Sequence, residues 1–319
     1  MSTMISLLKR EHWEHQVAFR YLPMVLAGLM LLVMLLASIS AIQVTAQWEQ
    51  GSGATIESAS FSDMLRGIEA SVPADTRNAG VRSGLLSLAV PFGIVMGLVS
   101  IFYFISCLYD ERKDRSILFW KSMPVSDMSV VGAKILTGFV MLPLVFWAAA
   151  VLTQLGGLLI GSGVAINAGI PAWSTLWAPS QLPLLAFTEL GAFYIALLWL
   201  APILGWLLLV SVYISRAPLL FAIVPVLLAA ILEGWLWHSS ELLEWVGERF
   251  AAAVMTLSLP IARIAAQQGA ELQALTDNQW TSEASLTGML AEPQLWLGIG
   301  IFALCAVGAW YLRRYRDES

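Results

Sequence analysis

Two histidines three residues apart, His12 and His15, stand beside two acids, Glu11 and Glu14. That spacing puts both rings on one face of a helix, where they could hold a metal ion. The pattern is HxxH rather than the HExxH of zinc hydrolases, and no third ligand stands nearby, so no metal site is expected. Glu189 is a second candidate. It lies two residues after Phe187, near the start of an apolar run. An ionisable group inside a membrane is a functional residue by default, whereas one at headgroup level is ordinary. Glu233, near the end of another apolar run, has the weaker case of the two. No GxxxxGK[ST] segment is present to cradle a nucleotide, and no GxSxG elbow presents a serine. Cys107 and Cys305 both fall inside apolar runs, which suits neither a disulfide framework nor a zinc site. Nothing supports an enzyme active site, so work against a gradient would draw its energy from a partner.

The elements that must position such residues follow from composition. The chain has 319 residues, 58% hydrophobic and 12% charged. Ordinary soluble proteins carry about 25% charged residues. Hydropathy this high over this length means an all-α polytopic membrane protein. A spanning helix needs about 20 mostly apolar residues. Six runs qualify, at 22–46, 85–108, 135–160, 187–214, 218–237 and 295–312. They make one membrane domain over residues 1–319. Residues 1–21 carry Lys9, Arg10, Arg20, Glu11 and Glu14 among Ile5, Leu8, Trp13, Val17 and Phe19, which reads as an amphipathic interfacial helix. The apolar run behind them is too long for a signal peptide.

Charge sets the orientation. With both termini inside, twelve Lys and Arg fall in inner segments and five in outer ones. The positive-inside rule therefore places both termini in the cytoplasm. Three outer loops result, at 47–84, 161–185 and 238–294. The second carries no charge and holds Pro171, Trp173, Trp177, Pro179 and Pro183, as a hairpin seated at the interface would. The third is long and acidic. Its 250–266 part is moderately apolar and interrupted by Pro260, which suits either a helical pair dipping into the outer leaflet or a folded cap. Gly93-x-x-x-Gly97 and Gly157-x-x-x-Gly161 allow close helix contact, here expected within one chain rather than across a dimer.

The segment 109–134 is the most charge-dense stretch between two apolar runs on the inner side. It opens on six consecutive charges, Asp110 to Arg115, and then shows Ile117, Leu118, Phe119 and Trp120. Pro124 should end a short helix, because the residue before a proline avoids the α region. Ser126 or Asp127 can cap the helix that follows. A short helix held between two spans would move both when a soluble partner pushed on it. An aromatic pair beside such charge suits a docking surface.

The combination of six spans, both ends inside, an interfacial N-terminal helix and this loop resembles permeases of the ABC type-2 exporter family. The detailed likeness lies in Arg10-Glu11-His12-Trp13-Glu14-His15 and in the loop from Glu111 through Asp127, which reads E-R-x-D-x-S-x-x-F-W-K-S-x-P-V-S-D. The resemblance implies a cytoplasmic coupling helix. It implies a homodimer, or a pseudo-dimer with a related permease, joined to two copies of a separate ATPase. ATP and Mg would be bound by that ATPase, with no cofactor in this chain. Glu111, Arg112, Asp114, Arg115, Phe119, Trp120 and Pro124 would touch it. The interfacial helix would present Glu11, Trp13 and Glu14. The setting implied is the bacterial cytoplasmic (inner) membrane and its lipids, with export outward and no nucleic acid involved. The long third loop also suits a periplasmic partner, and with it a non-transporting module that relays ATPase motion.

Overall fold

The computed structural model describes residues 2–39, 66–67, 69–113, 126–214, 216–267 and 285–315. The regular elements among them are all helices. The first are α1 (Ser2–Glu14), α2 (Leu22–Ile39), α3 (Ala74–Ser106) and α4 (Tyr109–Lys113). Then come α5 (Asp127–Leu136), α6 (Leu142–Asn167) and α7 (Leu182–Tyr213). The last are α8 (Pro218–Leu236), α9 (Glu241–Gln267), α10 (Leu286–Ala291) and α11 (Pro293–Tyr315).

Alpha-helix is the form that satisfies every backbone N–H and C=O within one segment, which apolar sequence surrounded by hydrocarbon requires. Seven stretches among the described residues are long and apolar enough to cross a membrane. The seventh is α9, inside the segment expected as the third outer loop. Its helix runs unbroken through Pro260, so the expected interruption there is corrected. The 250–266 part is one continuous helix, and among the described residues the six-residue α10 follows it before α11. Alpha9 lies against α3 and α7: Leu257 meets Gly93, and Ile261 and Ile264 reach the cluster around Leu85 and Leu185.

Three widened π turns share one sequence feature. Val17–Tyr21, Thr137–Met141 and Trp173–Trp177 each end two residues before a proline: Pro23, Pro143 and Pro179. A proline ring clashes with the carbonyl four residues earlier, and a widened turn relieves that clash without ending the helix. The helices accordingly run on where the prolines would otherwise break them. Pro91, Pro202 and Pro225 also sit inside continuous helices.

Alpha7 is the centre of the bundle, with 78% of its spanning window buried. Alpha3, α6, α9 and α11 surround it. Alpha2 pairs with α6. The small residues meet partners inside the chain: Gly93 faces Leu257, Gly97 faces Leu200, Gly157 faces Met34 and Gly161 faces Leu176. Alpha2 and α8 are different, each with only 6% of its window buried, so both leave long apolar faces uncovered. The second expected outer loop is largely helical as well, since α6 continues to Asn167 and α7 starts at Leu182.

Candidate functional site: a buried ionic clamp

Four separate elements converge on one set of charges. Glu11 on α1, Glu111 on α4, Lys134 on α5 and Arg313 on α11 are 3%, 4%, 1% and 5% exposed. Lys134 Nζ lies 2.8 Å from Glu11 Oε1 and 3.1 Å from Glu111 Oε1. Arg313 Nη1 donates to Glu111 Oε2 at 2.7 Å, and its Nε donates to Asp127 Oδ1 at 3.2 Å. Arg10 Nη1 comes within 3.7 Å of Glu111 Oε1, while its Nε donates to Glu14 Oε1 at 2.7 Å. The Tyr103 hydroxyl sits 3.0 Å from Glu11 Oε2 and 3.2 Å from the Lys134 carbonyl.

Local structure explains why these side chains meet. Ser126 caps α5, its Oγ accepting from the Ser129 amide at 3.2 Å. Asp127 in the first turn of α5 and Arg313 in the last turn of α11 both sit where the helix dipole favours their charge. Gly138 lets the Phe104 ring close over the start of the third span, since a Cβ there would lie 2.5 Å from that ring. The result is a cluster of opposite charges that would be ruinous to bury singly and is tolerable as a mutually paired set.

The expected residues divide into three groups. Glu11 and Glu111 point inward, so their carboxylates are held by this chain rather than presented at its surface. Alpha1 thereby packs on α5, tied to it by Glu11, with Leu7 buried, while Trp13 stays 58% exposed and Glu14 is held by Arg10. Arg112 also turns inward, donating to the Val212 carbonyl at the end of α7. Asp114, Arg115, Phe119, Trp120 and Pro124 lie outside the described residues. Glu189 is elsewhere: 24 residues before Tyr213 on α7, about 36 Å along the helix axis. The two histidines diverge, His12 toward Phe19 and His15 edge-on to Tyr103 at 5.1 Å. Lys134, Arg313 and Tyr103 were not singled out from sequence. The available signal was a lone lysine between Val130-Val131-Gly132-Ala133 and the apolar run that begins at Ile135.

His15 gives the clamp an acid sensitivity. Burial holds its imidazole below the ordinary value of 6.5, and the nearby Glu11 carboxylate only partly offsets this. The folded chain therefore binds fewer protons at His15 than the unfolded chain does. Stability contributed by His15 is present above about pH 6.5 and falls as the pH drops below it. The thermal unfolding midpoint of the wild type should decline relative to that of His15→Gln between about pH 7 and pH 5. Parallel pH profiles for the two proteins would contradict this.

The clamp ties the incoming and outgoing ends of the 114–125 segment to each other and to both α1 and α11. Alpha1 and the C-terminal end of α11 accordingly lie at the same end of the bundle. The fold and this site define a multi-pass helical membrane protein. Comparisons with models of known protein families, with curated proteins and with solved structures give no match.

Proposed function

We propose that the chain is the membrane-spanning permease subunit of an ATP-driven exporter resembling the ABC type-2 family. A separate ATPase, in two copies with bound ATP and Mg, acts on the 109–127 segment. The membrane is the bacterial cytoplasmic one, and both termini face the cytoplasm. The observation that carries the reading is the double anchoring of that segment. Glu111 near its start and Asp127 at its end share one arginine, Arg313. A push on the segment is thus delivered to α1, α3, α5 and α11 together. Packed helices respond to such a push by moving between discrete arrangements rather than by bending gradually.

The uncovered apolar faces of α2 and α8 suit lipid and a second copy of the chain. The interior of the bundle is largely apolar, which favours an amphiphilic cargo drawn from the inner leaflet.

The test is a charge reversal outside the clamp. Asp114→Lys with Arg115→Glu should abolish co-purification of the ATPase, and stimulation of its turnover, while leaving the unfolding midpoint of the chain unchanged. Retained complex and retained stimulation would show that the segment is not the docking surface.

A further inference from the structure

Glu189 is 3% exposed and its neighbour Gln154 is fully buried. Gln154 Nε2 donates to the Leu85 carbonyl at 2.9 Å and also to Glu189 Oε1. Among the described residues, Glu189 Oε2 and Gln154 Oε1 are buried without a hydrogen-bond partner. The surrounding side chains, Leu85, Leu86, Leu158 and Leu185, are apolar. The charged groups on the stretches of α3 and α9 that pack here are Arg82 and Arg263. Arg82 Nε donates to the Asn78 carbonyl, and neither arginine forms an ion pair with Glu189. The facing parts of α6 and of the Trp173–Ser180 turn carry no ionisable side chain.

A carboxylate in such a place carries its full desolvation cost, and no cation among the described residues pairs with it to offset that cost. A buried acid in that position takes up a proton and becomes neutral. One proton on Oε2 removes the charge while leaving Oε1 as the carbonyl acceptor for Gln154. The clamp at the other end of the bundle shows the contrast, because there each buried carboxylate has a lysine or arginine against it.

We infer that Glu189 and Gln154 form a proton-binding site between α3, α6 and α7, in which Glu189 holds a proton while the three helices are packed together. The proton passes to water when those helices part and the carboxyl is hydrated. The helix rearrangement therefore carries a proton with it. This inference does not rest on the exporter reading, and the absence of an ATPase partner would leave it standing.

Infrared spectroscopy of the purified protein in lipid at neutral pH tests it. The wild type should show a protonated-carboxyl C=O band that shifts in D2O, and Glu189→Gln should lack that band. Gln154→Leu retains the acid but removes the N–H that its carbonyl accepts, so the same band should move to higher frequency. This second variant decides the matter even if Glu189→Gln does not fold. A wild type with no protonated-carboxyl band overturns the inference. So does a band that neither substitution alters, or one that disappears when sodium is added, which would make the site a metal-cation site.

Discussion

Lys134→Met should lower the stability of the folded protein by about 3–5 kcal/mol, the usual cost of breaking a buried ion pair by removing one partner. Lys134 is the cation shared by Glu11 and Glu111. Without it, Glu11 keeps the Tyr103 hydroxyl and a 3.9 Å approach to His15, whose charged form burial disfavours. Alpha1 should then leave α5. Unfolding in mixed micelles would measure the loss, and protease cleavage within residues 2–14 would report the release of α1. Adding Glu11→Gln to Lys134→Met should restore part of the stability, because no uncompensated carboxylate then remains in α1, while Glu111 retains Arg313. A double variant as unstable as the sum of the two single ones would mean that the charges do not interact.

The second large effect is expected at Gly205. A Cβ there would lie 2.9 Å from the Cα of Phe302 and 3.2 Å from the Cβ of Cys305. A flexible side chain can move aside, but a backbone atom cannot, so α7 and α11 would have to separate. Gly205→Leu should destabilise at or above the top of the about 1–3 kcal/mol range seen for overpacking. It should also weaken the clamp, since Arg313 is carried by α11. Gly205→Ala should give a smaller loss of the same kind. Gly163→Leu is the control, because a Cβ at Gly163 meets nothing within 4 Å. Equal stability of Gly205→Leu and Gly163→Leu would show that α7 and α11 do not pack as described.

Much of this architecture is legible in the chain alone, and particular residues show where legibility stops. Apolar runs at 22–46 and 295–312 announce helices because hydropathy is a local property. Alpha9 escaped a span count because Glu241, Glu244, Glu248 and Arg249 dilute its first turns and Pro260 looks like a break. Its apolar face is visible only once α3 and α7 are in place. The acids of the clamp were recognised as part of a motif, but their direction was not. Glu11 and Lys134 are 123 residues apart, and Glu111 and Arg313 are 202 apart. No local period links such pairs. A lone lysine in an apolar run therefore reads as a topology signal until its partners are seen. Arg249 teaches the same lesson: it is buried against the rings of Trp199 and Trp245, a setting no neighbouring residue foretells.

On the exporter reading proposed above, an ATP-binding companion pushes on the 114–125 segment from the cytoplasmic side. A photo-crosslinking amino acid placed at Trp120, in the intact membrane, tests it most directly. A covalent adduct with an ATP-binding protein is expected, with a yield that changes when ATP is added. Labelling of that position from the outer face, or adducts with lipid alone, would contradict it.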